Sequence, residues 1–218
     1  MLHKTHGVVF RFTRFRETSV IASIFTARFG LQSYIINSVR TAKSRMALFQ
    51  PLTLLDMVVY HRENANINRT KEVKCLYPYQ TLHRDIRKSA IAIFITEVLN
   101  KTVKEESHSE EMFNFISQSL MQLDGLKEQY ENFHLHFLIG LSRRLGFGLT
   151  QAEDAAFHFA GDEESLKCLE EFLAGNWQIT MPVQRRRALL QGLLQFYQSH
   201  LDTMGELKSA EVLRGVLD

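Results

Sequence analysis

The chain has 218 residues, 45% of them hydrophobic, with only 3 Pro and 11 Gly, which indicates one large or two modest folded domains and excludes long disorder. Its formal charge of +2 is the sum of a basic first part and an acidic second part. Residues 1–90 carry 15 Lys and Arg against 5 Asp and Glu, a charge of +10, whereas residues 91–218 carry 11 against 19, a charge of −8. The first half therefore predicts a basic module for a polyanion, most commonly nucleic acid, with a merely soluble basic face as the alternative.

Cysteine usage and hydropathy exclude several classes of protein. Cys75 and Cys168 lie far apart, with no C-x-x-C and no paired His spacing, so neither a disulfide framework nor a zinc site is indicated. The first residues lack the apolar run of a signal peptide, and no stretch approaches the ~18 apolar residues of a membrane span. We expect a cytoplasmic protein without membrane contact.

The first 80 residues have the pattern of strands and turns. Residues 8–13 alternate with a period of two, which predicts that Val8, Phe10 and Phe12 face a core and that Val9 faces solvent. Gly30 suits a tight turn between two later strands. The four further apolar segments are 19–26, 33–36, 52–60 and 67–76. Five short strands predict a small barrel, for which an OB fold and an SH3-like barrel fit equally well.

Beyond Pro78 the apolar residues recur at helical spacing. The predicted helices cover residues 86–101, 109–125, 130–145, 151–158, 164–173, 183–201 and 208–216. The fold class is therefore α+β, with a five-stranded barrel in residues 1–80 followed by an α-helical domain in residues 81–218.

The densest basic loop joins two predicted strands and contains Arg40, Lys43 and Arg45 between Ser and Thr hydroxyls. This composition is typical of phosphate contacts, because each flexible cation can displace a condensed counterion. A solvated connection would have the same residues. Further cations alternate with aromatics that could stack on unpaired bases, although most of these aromatics are expected in the core. They are Arg11, Arg14, Arg16 and Arg28 beside Phe10, Phe12, Phe15 and Phe29.

No catalytic signature is present in the sequence. His134 and His136 are two residues apart on a predicted helix, hence on different faces, and they are interpreted as structural. There is no G-x-S-x-G, no Walker A run and no H-E-x-x-H. We therefore expect no enzyme, no metal and no cofactor.

Arg185, Arg186 and Arg187 stand near the start of a predicted helix, where cations oppose the helix dipole. Two interpretations are an acidic partner and ion pairs with the Glu-rich helix before it. We favour the ion pairs. The acidic residues of that helix are Glu163, Glu164, Glu170 and Glu171.

An ordered set of short segments resembles the RecO family of bacterial recombination mediators. In the N-terminal half these are Glu17-Thr18-Ser19, Phe25-Thr26 with Gly30, Lys43-Ser44-Arg45 and Leu48-Phe49-Gln50-Pro51-Leu52; later ones are Leu145-Gly146-Phe147 and Leu207-Lys208-Ser209-Ala210-Glu211-Val212-Leu213. The resemblance runs nearly from end to end.

That resemblance implies an N-terminal OB fold joined to a helical domain, without catalytic turnover. It implies binding of single- and double-stranded DNA, annealing of complementary strands, and loading of RecA, together with RecR, onto DNA coated by the single-strand-binding protein SSB. A nucleoid-associated location follows. The family suggests that the helical domain receives the acidic, apolar C-terminal tail of SSB, for which an apolar groove rimmed by cations is suitable.

The sequence departs from the family pattern at two points. Many relatives have a four-cysteine zinc site in the second domain, which this chain cannot build. Some have an Arg-Arg pair before the aromatic that opens the central helix, where this chain has Glu131-Asn132 before Phe133. We therefore predict Arg143 and Arg144, with Phe133 and Phe137, as the binding site for the SSB tail. Alternatives to a DNA mediator are an adaptor whose barrel binds an acidic protein or RNA, and an enzyme with an unrecognised site.

Overall fold

Five strands form the first part of the chain in a computed structural model that describes residues 1–37, 39, 46–62, 65–104, 109–159 and 162–217. They are β1 (Leu2–Phe15), β2 (Ser19–Thr26), β3 (Gly30–Ile36), β4 (Leu54–Tyr60) and β5 (Asn68–Cys75). All five predicted strands are confirmed. β1 is longer than its alternating segment because it pairs with two neighbours, with β4 through its first half and with β2 through its second.

The strands close into a barrel in the order β1-β2-β3-β5-β4, with β4 returning to β1. All pairings are antiparallel except that of β3 with β5, which is parallel. A closed five-stranded barrel of this kind is an OB fold, so this alternative of the two predicted barrels is confirmed. Gly30 has a φ of +64° at the turn into β3, as its predicted role requires.

The barrel interior corrects one expectation about β1. Val9 is fully buried in the core, together with residues such as Ala22 and Met57, whereas the alternation predicted it on the wet face. The pairing register of β1 with β2 shifts between Val9 and Arg11, which is a β-bulge. Because the bulge inserts one extra residue, Val9 before it and Phe12 after it both pack on the core.

Six α-helices and one 3₁₀ helix follow in the described residues after the barrel strands. They are α1 (Ile86–Thr102), α2 (Ser109–Gly125), α3 (Phe133–Arg144), the 3₁₀ helix (Ala152–Phe159), α4 (Glu163–Leu173), α5 (Val183–His200) and α6 (Ser209–Leu217). All seven predicted helices are confirmed, one of them in 3₁₀ geometry. α3 starts three residues later than predicted because Gln129 has a φ of +57°, and the N–H of Phe133 closes a turn onto the carbonyl of Tyr130.

The chain divides into two compact units. The barrel unit contains Met1–Tyr79 and Val103–Met121, and the helical unit contains Gln80–Thr102 and Gln122–Asp218. The change of unit after Tyr79 is close to the expected boundary at residue 80, while most of α2 groups with the barrel. The assignment of residues 1–80 and 81–218 as functional domains stays a prediction.

A buried polar network lies where the chain enters the helical unit. The Asp124 carboxylate accepts hydrogen bonds from the main-chain N–H groups of Gln80, Thr81 and Leu82 at 2.8–3.1 Å. The Lys88 ammonium, only 2% exposed, donates to the Thr81 hydroxyl at 2.7 Å and to the Asp124 carbonyl at 2.9 Å. Burial opposes ionisation of Asp124, but the three N–H donors outweigh it and lower the pKa of the carboxyl.

Among the described residues, no helix is both long enough and apolar enough to span a membrane.

Candidate nucleic-acid interface

One row of side chains crosses the outside of all five strands. Paired residues on neighbouring strands point to the same side of a sheet, so the pairing register identifies the row. Its members alternate with the buried core residues of each strand and are at least partly exposed. The row, called here the barrel stripe, runs through Thr13, Ile21, Ile35, Arg69, Tyr60 and Leu2.

The four predicted arginines of the barrel are exposed but do not form one cluster. Arg11 pairs with Ser23 on the outer face, and Arg14 lies near the end of β1. Arg16 lies in the turn between β1 and β2, whereas Arg28 lies in the turn between β2 and β3. Since those turns join opposite ends of β2, eight residues long, they are about 23 Å apart. The four arginines, called here the arginine track, are therefore spread over the length of the barrel and do not form one compact patch.

The basic loop with Arg40, Lys43 and Arg45 lies outside the described residues, so its role in DNA contact stays a prediction. Its neighbour Val39 is fully buried, and the Val39 N–H donates to the carbonyl of Thr18 at 2.9 Å. The chain is thus anchored, next to that loop, at the turn that contains Arg16.

The phenylalanines beside these arginines are mainly structural, as expected. Phe10 is buried and stacks on Phe25 with ring centroids 5.8 Å apart. Phe12 and Phe29 pack against the barrel core. Phe15 is partly exposed and has the Arg16 guanidinium 5.2 Å from its ring centroid. Phe29 likewise has the Arg28 guanidinium 5.5 Å from its ring centroid, so Phe15 and Phe29 are the two of the four that lie beside a cation.

A cavity of about 650 Å³ opens beside the barrel stripe, and sequence reasoning missed it. Tyr60, at the end of β4, and Ile67, just before β5, are 49% and 45% exposed. Arg62 and Arg69 are both exposed on its wall. The remaining wall residues are Met1, Ala65 and Asn68. Six of the seven wall residues lie between Tyr60 and Arg69, on the connection from β4 to β5, and Met1 joins them through the pairing of Leu2 with Tyr60. The local sequence signal is the mixture of cations and apolar residues in this connection.

The aromatics of the predicted tail site are not at the surface. Phe133 and Phe137 are both fully buried, and their assignment to a partner site stays a prediction. They are buried because α3 is covered on most sides, with Leu135 and Leu138 also buried. Arg143 and Arg144 are exposed, and each donates a side-chain N–H to a main-chain carbonyl, that of Leu149 and that of Gly140.

A small apolar groove rimmed by cations lies elsewhere in the helical unit. Leu190 of α5 and Leu213 and Leu217 of α6 form its floor, beside His134 of α3. Burial, together with the charge of Arg186, lowers the pKa of His134 to about 3, so this ring is neutral near pH 7. The positive charge at the groove comes from Arg186, Arg187 and Arg214.

The arginine run at the start of α5 has several roles. Arg185 forms ion pairs with Asp162 and Glu164, so the predicted ion pair with the acidic helix is confirmed at Glu164, and Asp162 is an additional partner. Arg186 donates to the side-chain oxygen of Asn132 at 3.0 Å and to the carbonyl of Leu217 at 3.1 Å. A cation from α5 thus lies beside Asn132, at the start of α3.

Both histidines of α3 pack against aromatic rings of the helical unit, and their interpretation as structural stays a prediction. His136 stacks on Trp177 with ring centroids 4.9 Å apart. Burial and the charge of Arg143 lower the pKa of His136 to about 4. In the part of the chain that the structure describes, no three His, Cys, Asp or Glu side chains come close enough to hold a metal ion.

A closed OB-fold barrel with exposed arginines is followed by a bundle of helices. The protein therefore belongs to the class of OB-fold proteins that carry a helical C-terminal unit. The chain belongs to the RecO family. The family models "Recombination protein O N terminal" and "Recombination protein O C terminal" match residues 1–79 and 83–170. Two similar relatives are each named "DNA repair protein RecO". The protein of Flavobacterium johnsoniae is 32% identical and that of Phocaeicola vulgatus 37%, each over 98% of both chains.

Proposed function

We propose that this protein is a DNA repair mediator that binds DNA and anneals complementary strands without catalytic turnover. The observation that carries the proposal is the arginine track. Among the described residues, Arg11, Arg14 and Arg28 of this track form no ion pair with a carboxylate, and neither do Arg62 and Arg69 at the cavity. Their charges are available for phosphates. Membership in a family whose relatives are named for DNA repair supports DNA as the polyanion.

The proposed mechanism of annealing is electrostatic. Two complementary strands repel each other through their phosphates, and a protein that neutralises several phosphates on each strand lowers that repulsion. Pairing then proceeds by base complementarity alone, so neither a cofactor nor a covalent intermediate is needed.

The proposed protein partners are SSB, RecR and, indirectly, RecA. We place the acidic, apolar tail of SSB in the groove formed by α5 and α6. The apolar floor of Leu190, Leu213 and Leu217 fits apolar tail residues, and Arg187 and Arg214 fit carboxylates. This placement competes with the one at Arg143, Arg144, Phe133 and Phe137. Leu190, Leu213 and Leu217 are buried almost as fully as the two phenylalanines, so the proposal requires the groove to widen when the tail binds.

The DNA-binding step is tested by changing Arg11, Arg14 and Arg28 together to Ala. We expect weaker binding to every sequence and a salt dependence whose logarithmic slope falls by about 0.9 for each lost duplex phosphate contact. Fluorescence anisotropy between 50 and 200 mM salt measures both. Changing Arg143 and Arg144 to Ala is the matched control. An unchanged slope in the triple variant would remove the track from the DNA site.

The annealing step is tested with two complementary oligonucleotides, each coated with SSB, at several salt concentrations. We expect salt-sensitive acceleration by the wild-type protein and its loss when SSB lacks the tail. If folded protein gives no acceleration, the adaptor alternative gains support.

The tail site is tested by measuring the affinity of a peptide with the SSB tail sequence for two variants. Arg187→Ala with Arg214→Ala should weaken binding, whereas Arg143→Ala with Arg144→Ala should not. If only the Arg143 and Arg144 variant bound the peptide more weakly, the tail site would be assigned to the C-terminal end of α3.

A further inference from the structure

Tyr60 is an exposed aromatic on the barrel stripe, with a cation beside it. Its cross-strand partners are Leu2 on β1 and Arg69 on β5, so all three side chains lie on the outer face. Among the described residues no other ring stacks on Tyr60. About half of this large side chain is open to solvent, which leaves an aromatic face free for a ligand.

The chain that leaves β4 is fixed next to Tyr60. The N–H of Arg62 donates to the side-chain oxygen of Asn68 at 2.9 Å, and the Asn68 amide donates in turn to Gln32 at 3.3 Å. Asn68 is only 3% exposed. This hydrogen-bonded chain links the end of β4 to β3 and β5 and fixes the main chain at Arg62, so a ligand has less backbone to order when it binds.

The cavity wall has the chemistry of a nucleotide site. Its volume of about 650 Å³ is within the range of about 300–1,000 Å³ usual for small-molecule pockets. Tyr60 and Ile67 offer flat and apolar contact, Arg62 and Arg69 offer positive charge, and no acidic residue is among the described lining residues. Such a wall suits a base next to its own phosphates.

We propose that this cavity receives an unpaired nucleotide of single-stranded DNA, with its base against Tyr60 and its phosphates on Arg62 and Arg69. The inference rests on the proposed function, since it concerns how the barrel binds DNA. In a duplex both faces of each internal base are already stacked, so only an unpaired base can meet the Tyr60 ring. The cavity therefore gives the barrel a preference for single strands that the arginine track does not have.

The test compares the affinity of the full chain for a 20-nucleotide oligo(dT) strand and for a blunt 20-base-pair duplex at one salt concentration. Tyr60→Ala should weaken binding of the single strand by between about 5-fold and about 150-fold, the effect of removing one stacking platform. Duplex affinity should not change. Tyr60→Phe keeps the ring and should keep single-strand affinity, while Phe157→Ala, which removes an exposed aromatic of the helical unit, is the matched control.

A second readout locates the base directly. Oligo(dT) with 5-iododeoxyuridine at one position, irradiated while bound to wild-type protein, should form a cross-link to Tyr60 that mass spectrometry identifies. Equal effects of Tyr60→Ala on both DNAs, no effect on either, or cross-links that never include Tyr60 would each overturn the nucleotide site. In those cases wild-type DNA binding still supports the proposed function. Wild-type protein that binds neither DNA would overturn both.

Discussion

The barrel unit and the helical unit differ in how their cations are held. Arg11, Arg14 and Arg69 of the barrel are exposed, and none forms an ion pair in the described part of the chain. In the helical unit Arg185 is held by Asp162 and Glu164, and Lys88 is buried among carbonyl and hydroxyl oxygens. A cation with intramolecular partners stabilises the fold, whereas one without them is available for a ligand. The difference teaches that charge alone does not identify a binding surface.

The largest expected loss of stability comes from a substitution that breaks the buried network of Asp124 and Lys88 in the helical unit. Asp124→Ala leaves three main-chain N–H groups without an acceptor and removes a carboxylate whose charge favours the protonated form of Lys88, so the free energy of unfolding should fall by about 3–5 kcal/mol. Urea denaturation of the full chain measures this. The exposed Asp202→Ala is the control and should change little. A similarly small loss for Asp124→Ala would show that the network is not a source of stability.

A smaller change in stability is expected when one arginine from each unit is replaced by alanine and the two variants are compared. Arg186→Ala removes two charge-assisted hydrogen bonds and should cost about 1.5–3 kcal/mol of stability. Arg11→Ala should stay within about 0.5 kcal/mol of wild type and instead weaken DNA binding. Denaturation and anisotropy on the same two variants measure both properties. If Arg11→Ala were the more destabilising of the two, the distinction between structural and available cations would be wrong.

The smallest expected change is in how the stability of the protein depends on pH. The pKa of His136 is about 4 in the folded protein and about 6.5 in the unfolded chain, so between these values only the unfolded chain takes up the proton. Stability from the neutral ring is complete above pH 6.5 and is lost as the pH falls, at up to about 1.4 kcal/mol for each pH unit. His136→Phe keeps a ring on Trp177 and should reduce this slope in denaturation measured at pH 5, 6 and 7. An identical slope in both proteins would contradict the assignment.

Sequence periodicity predicted nearly all elements of the fold because each strand and helix has its own repeating apolar face. The prediction failed at Val9, where a bulge shifts the alternation by one residue, an event that depends on the partner strand β2. Phe133 and Phe137 were assigned to the tail site from the family resemblance and not from periodicity, and both are fully buried.

The candidate sites were less predictable than the fold. The exposed barrel arginines were found from charge and spacing. The Tyr60 cavity is formed mainly by the short connection between β4 and β5, and its residues are visible in the sequence although the hollow between them is not. The groove at Leu213 depends on two helices meeting, so composition and motifs could not indicate it.

The course of the chain through its two units has a practical consequence for dissecting the protein. Because the path goes from barrel to helices, back through Val103–Met121 and then to the helices again, no single cut separates the units. A fragment that stops at residue 80 lacks most of α2, which contributes contacts such as that of Phe113 with His6 on β1. Limited proteolysis should therefore yield nicked but associated fragments, and an isolated OB fold is best prepared by joining residues 1–79 to 103–121 through a short linker.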